Sequence, residues 1–149
     1  MKKEYSVHKP EDFKEVISDI FTDAKEINPL VITLEGDLGA GKTTFTQELG
    51  KYIGVTEQIT SPTFTIMKQY EVEYEKFNTL VHIDAYRIED ENEVGPLRLA
   101  ETLNQEGNIV CIEWPEQITS VVLNTVTKIG ISINKDESRT VTVESVSVK

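Results

Sequence analysis

A chain of 149 residues, 38% hydrophobic and 28% charged, has the size and composition of one globular domain (1–149) with one core, which sets two full domains aside. Fifteen Lys plus Arg against 26 Asp plus Glu leave a net charge of −11, opposing the counterion release that drives nucleic-acid binding and arguing against DNA or RNA as a direct partner. The apolar runs are too short to cross a bilayer, so no membrane role is expected, and the single cysteine, Cys111, has no intramolecular disulfide partner and fits a reducing compartment.

Residues 1–8 carry two lysines but no apolar stretch ending in a small-residue cleavage site, so the expected location is the cytoplasm. Pro10 suits a first helical position, and Phe13, Val16, Ile17, Ile20 and Phe21 follow at the spacing of one buried helical stripe. Residues 30–34 form a nearly continuous apolar run between Asn28-Pro29 and Gly36, as in a strand buried on both faces of a parallel sheet. A glycine-rich turn follows, then a helix over 42–53 with Phe45, Leu49, Tyr52 and Ile53 on one face and Gly54 placed to stop it.

Residues 63–72 and 79–84 read as extended, joined by the polar stretch 73–78, which suggests a hairpin or an edge excursion. A helix is expected over 92–104 despite Gly95-Pro96, and a buried strand over 108–113, where Cys111 reads as a small hydrophobe. Residues 126–133 alternate with Ile129, Ile131 and Ile133 on one side, residues 140–148 alternate with a break at Glu144-Ser145, and the two form a hairpin turning near 135–138.

Gly36-Asp37-Leu38-Gly39-Ala40-Gly41-Lys42-Thr43 has the spacing of a phosphate-binding loop. A nucleotide's phosphates need several backbone N–H donors converging on them, and side chains at the tight positions would block that approach. The helix opening at Lys42 aims its amides and dipole at the same anion, Lys42 can reach the terminal phosphates, and the Thr43 hydroxyl can ligate Mg2+. Asp37, Leu38, Gly39, Ala40, Gly41, Lys42, Thr43 and Thr44 are therefore the candidate nucleotide contacts, in the strand–loop–helix context the motif requires.

Magnesium and water call for carboxylates at the carboxyl ends of neighbouring parallel strands. Asp84 and Glu113 each close an apolar run, and either could hold the ion directly, hold it through water, or orient the attacking water. His82 stands two residues before Asp84, on the same side of the strand, and reads as a hydrogen-bonded structural histidine. Trp114 fits a stacking platform or a strand-end anchor equally well, and Arg87 a phosphate or partner contact or a structural ion pair.

Residues 36–44, Ser61-Pro62-Thr63-Phe64, His82-Ile83-Asp84-Ala85-Tyr86-Arg87 and Ile112-Glu113-Trp114-Pro115-Glu116, in this order, resemble the TsaE family, the ATPases of bacterial tRNA threonylcarbamoyladenosine (t6A) biosynthesis. The resemblance spans about 30–116 and implies a P-loop NTPase α/β fold, a central parallel sheet with flanking antiparallel strands and helices. It implies that Thr43 and Glu113 ligate Mg2+, that Asp84 is the acidic residue needed for ATP hydrolysis, catalytic alongside Lys42, and that 61–64 is a switch-like loop. It also implies TsaB and TsaD as protein partners, with tRNA engaged only through that complex. Arg139 falls where the family carries an arginine approaching the nucleotide. Asp12 is a further candidate beside the base, although an acid in a first helical turn is also an ordinary cap. The chain departs from the family pattern at 97–101 and 123–124.

Three other readings use the same loop. A small-molecule kinase would need cations to close over the transferred phosphate, and three arginines are a poor supply. A GTPase would need Asn-Lys-x-Asp, which Asn134-Lys135-Asp136-Glu137 misses at its last position. A nucleotide-binding module without turnover would keep Lys42 and dispense with Asp84.

Overall fold

A computed structural model describes residues 2–25, 27–36, 39–60, 67–84, 99–113 and 125–147. Among these residues seven strands form one sheet in the order β1-β7-β6-β2-β5-β4-β3. At its centre β2 (Leu30–Glu35) pairs in parallel with β5 (Asn108–Glu113) and with β6 (Thr125–Ile133), and β5 pairs in parallel with β4 (Phe77–Asp84). Antiparallel strands close both sides, β3 (Met67–Tyr74) on β4, and β7 (Arg139–Ser147) on β6 followed by β1 (Lys2–Val7) on β7. The α/β architecture with a parallel centre and antiparallel flanks is as the sequence led us to expect.

The continuous apolar runs of β2 and β5 reflect burial of both faces. Leu30, Ile32, Leu34, Ile109 and Cys111 join one cluster with Phe13, Val16, Ile17 and Ile20 of α1 (Phe13–Asp23) and Phe45, Leu49 and Ile53 of α2 (Lys42–Ile53). The alternate residues Val31, Val110 and Ile112 are buried as well, outside that cluster. A third helix, α3 (Leu99–Asn104), contacts β5 and buries Leu103. Phe13 meets Phe45 edge to face, with ring centroids 5.5 Å apart, an arrangement that contributes roughly 0.5–1.5 kcal/mol beyond its buried area and locks the two helices together beneath the glycine loop.

The helix ends match their signals. A 3-10 turn, Pro10–Asp12, leads into α1, with the Asp12 carboxylate accepting the amides of His8 at 2.9 Å and Lys9 at 3.2 Å. Those two donors, His8 first, hold the Asp12 carboxyl below its usual range. Gly54 ends α2 in a left-handed conformation at φ 92°, which glycine adopts at no steric cost.

The hairpin suggested across 73–78 is present, and three details differ from expectation. Its turn is shorter than the polar stretch: β3 runs to Tyr74 and β4 starts at Phe77, leaving Glu75-Lys76 as the turn. Tyr74 and Phe77 pair across the strands and pack on Phe21, at 5.0 and 6.2 Å between centroids, so burial of aromatic surface extends the strands into a polar sequence. Ile133 is 48% exposed, unlike the buried Ile129 and Ile131, because it lies at the end of β6. Strand β1 is present where no element was assigned. Of the helix expected over 92–104, residues 92–98 lie outside the described residues, as do residues 63–66 of the extended segment expected over 63–72.

Candidate functional site

The glycine loop leaves β2 and enters α2 at the carboxyl ends of the parallel strands, the end of an open α/β sheet where ligands bind. Gly36 has φ 153°, and a Cβ there would sit 2.4 Å from the Ile131 carbonyl oxygen of β6. Backbone from two strands meets at that point, and only glycine fits. Gly36→Ala is expected to lower unfolding stability by about 3 kcal/mol, from steric clash plus backbone strain, in a denaturant titration; an unchanged midpoint would refute the close approach. Gly41 caps α2 in a left-handed conformation at φ 115°, with no side-chain cap and no acidic residue in the first turn. The first turn of α2 carries no acid in a chain of net charge −11, so nothing there repels an anion drawn to the positive end of the helix dipole.

Two cations organise the loop. Lys42 is buried, and its Nζ donates to the Gly36 carbonyl. Arg139, at the start of β7, donates from Nε to the Ala40 carbonyl at 2.9 Å, from Nη2 to the Gly39 carbonyl at 3.5 Å, and from Nη1 to the Glu137 carbonyl. A trans peptide points its C=O and N–H in opposite directions, so these bonds turn the amides of Ala40 and Gly41 away from the guanidinium. Arg139 therefore orients the donors of the loop from outside.

The carboxylates come from register. Parallel pairing of β4 with β5 sets Asp84 beside Glu113, the last residue of each strand. Thr43, in the first turn of α2, donates from Oγ1 to Glu113 Oε2 at 3.0 Å. Glu113 Oε2 also lies 2.5 Å from His82 Nε2. Beneath them Cys111 is fully buried, and burial pushes its thiol up to about 12, so the cysteine is a packing residue and not a nucleophile.

The donor set suits Mg2+. A hydroxyl has one donor and two lone pairs, so Thr43 can bond Glu113 and still offer oxygen to a cation. Magnesium takes one or two carboxylates and completes its shell with water and phosphate, so no all-protein cage is required; among the described residues no group of three or more His, Cys, Asp or Glu could form one. Beside Ala40, Gly41 and Thr44 lies a cavity of about 170 Å³ bounded by Val7, His8, Pro10, Phe13 and Arg139. It is the place next to the loop where a base could rest, and its β1 wall had no counterpart in the sequence reading. A concavity of about 800 Å³ along β1 and α1 is lined by Glu4, Glu11, Asp12 and Glu15 and is unsuited to anions.

Of the expected site residues, Gly39, Ala40, Gly41, Lys42, Thr43, Thr44 and Arg139 are brought together, and Asp84 and Glu113 stand side by side at the strand ends. Asp12 caps the turn before α1 and borders the acidic concavity, not the cavity beside Thr44. Asp37, Leu38, residues 61–64, Arg87 and Trp114 lie outside the described residues. Asn134 and Asp136 bond Ser138 within the β6–β7 turn, at 3.0 and 2.6 Å, the local role that turn residues take.

Strand, glycine turn and helix, with two acids at the ends of adjacent parallel strands, define an α/β protein with a candidate site above the carboxyl edge of its sheet. The chain belongs to the TsaE family: the family model described as "Threonylcarbamoyl adenosine biosynthesis protein TsaE" matches residues 7–141. It is 40% identical over 116 residues to the tRNA threonylcarbamoyladenosine biosynthesis protein TsaE of Bacillus subtilis, covering 78% of this chain and 70% of that protein. The protein of the same name from Nostoc sp. is 48% identical over 91 residues, covering 59% of this chain but only 54% of the relative. The crystal structure of Bacillus subtilis YdiB superposes with a TM-score of 0.75 at 30% identity, covering 99% of this chain and 87% of that one. No helix among the described residues is long and apolar enough to cross a membrane.

Proposed function

We propose that this chain is a P-loop ATPase of the t6A pathway that binds Mg·ATP and hydrolyses it while docked on the TsaB/TsaD complex in the cytoplasm. The observation that carries the reading is the 3.0 Å bond from Thr43 to Glu113, which joins the start of the loop's helix to a strand-end carboxylate. A bound Mg2+ would neutralise charge across the phosphate oxygens, with Thr43 and Glu113 holding it. The amides of Ala40 and Gly41 and those opening α2 cradle the phosphates. Lys42 swings from Gly36 to the terminal phosphates. Asp84 orients the attacking water and takes its proton as the water oxygen bonds the terminal phosphorus; the bond from that phosphorus to the bridging oxygen breaks, and ADP and inorganic phosphate leave.

The relatives' names support the pathway, and the acidic surface suits docking on a basic protein face better than direct contact with tRNA. The test is release of inorganic phosphate from ATP with and without purified TsaB and TsaD. Slow turnover alone and marked stimulation by the pair is the expected result. Transfer of the phosphoryl group to a small acceptor would mean a kinase, and tight binding without turnover in either condition a binding module.

A further inference from the structure

His82 of β4 has no exposed surface, and the mechanism above leaves it unused. The register sets His82 beside Cys111 and Asp84 beside Glu113. Side chains alternate along a strand, so all four lie on one face, the one whose Glu113 accepts from Thr43 of α2. The imidazole reaches diagonally to the next strand, with Nε2 2.5 Å from Glu113 Oε2. That oxygen also takes the Thr43 hydroxyl at 3.0 Å, so one carboxylate oxygen is held from β4 and from α2 together.

A carboxylate only accepts, so the hydrogen between the two groups belongs to Nε2. That tautomer leaves Nδ1 a bare lone pair, and Nδ1 has no hydrogen-bond partner among the described residues. The Glu113 side chain is 5% exposed, which leaves water little room to replace a lost donor. Without His82, its Oε2 would depend on Thr43, the residue that must also serve a cation.

We infer that His82 is a positioning residue: its Nε2–H fixes the Glu113 carboxylate in the orientation from which it holds a divalent cation beside Thr43. This rests on the Mg·ATP reading above. Outer partners of metal-ligating carboxylates act in this way, and losing one typically lowers metal affinity by roughly 10- to 100-fold. A merely space-filling histidine would be indifferent to which ring nitrogen carries hydrogen; this role is not.

Two measurements test it. Nitrogen NMR of the imidazole in nucleotide-free wild-type protein is expected to show His82 protonated at Nε2 and bare at Nδ1, and the opposite tautomer would overturn the inference. This readout needs no variant, so it decides even where a substitution prevents folding. Glutamine can place an amide N–H2 near the position of Nε2, and asparagine near that of Nδ1. His82→Gln is therefore expected to keep Mg2+-dependent ATP affinity within about threefold of wild type, whereas His82→Asn loses roughly 10- to 100-fold, by calorimetry. ATP binding in excess chelator should be the same in all three proteins. Asparagine matching wild type, or glutamine losing as much as asparagine, would overturn the role. A wild-type protein that shows no Mg2+-dependent binding would instead overturn the Mg·ATP reading, and is a different result from wild-type binding with indifferent variants.

Discussion

Alanine in place of Lys42 is expected to weaken Mg·ATP binding by about 100-fold while the protein stays folded. A hydrogen bond to a charged group contributes roughly 1.5–3 kcal/mol, and about 1.4 kcal/mol is tenfold in affinity, so loss of one or two bonds to phosphate suffices. Lys42 is only 5% exposed and already directed onto the loop, so its ammonium has little side-chain entropy left to lose when a ligand arrives. Arg139 does not substitute for it, because its guanidinium is committed to the carbonyls of Ala40, Gly39 and Glu137. Removing Nζ also takes a donor from the Gly36 carbonyl, a local cost of about 1–3 kcal/mol that a thermal melt would register. Unchanged affinity in a folded Lys42→Ala protein would take the loop out of nucleotide binding.

Elements that are buried on both faces or bounded by glycine were the legible ones. β2 and β5 announce themselves as apolar runs because helices and further chain cover both sides of a parallel centre. Helix α2 has the bounds 42–53 that were expected, since Gly41 and Gly54 both sit in left-handed conformations that interrupt a helix. β1 was missed for the opposite reason. It is an edge strand with a single fully buried residue, Val7, and its Lys3, Tyr5 and Val7 alternation is diluted by charge. Its extended form depends on β7 offering a partner, with Tyr5 opposite Val141, and nothing near residue 5 encodes that.

The site divides in the same way. Lys42 and Thr43 were legible because a phosphate cradle is built from consecutive backbone and leaves a local pattern. Glu113 and Asp84 were legible as acids closing apolar strands, but not as neighbours, because adjacency needed the order of strands in the sheet. Arg139 bonds a carbonyl 99 positions away, a contact that no spacing rule reaches, and only the family resemblance pointed to it. The cavity beside Thr44 has walls from the approach to α1, from the loop and from the β6–β7 turn, so it exists only in the folded chain.

Asp84 is where binding and turnover should separate. Asp84→Asn is expected to bind Mg·ATP within a few fold of wild type and to hydrolyse it about 100- to 10,000-fold more slowly, the range ascribed to a positioned general base. The substitution keeps shape and most hydrogen bonding at the end of β4 but removes the proton acceptor. Glu113→Gln makes the contrast: it touches Thr43 and His82 directly, so its loss should appear in the Mg2+ dependence of binding before it appears in the rate. The two acids are aligned partners on adjacent strands, so a difference in kind between the two variants cannot arise from a general loosening of the strand ends. Phosphate release in single-turnover mixing, with binding measured in parallel, separates the two effects. Full hydrolysis by Asp84→Asn would remove Asp84 from the mechanism and pass the base role to a residue outside the β4–β5 pair.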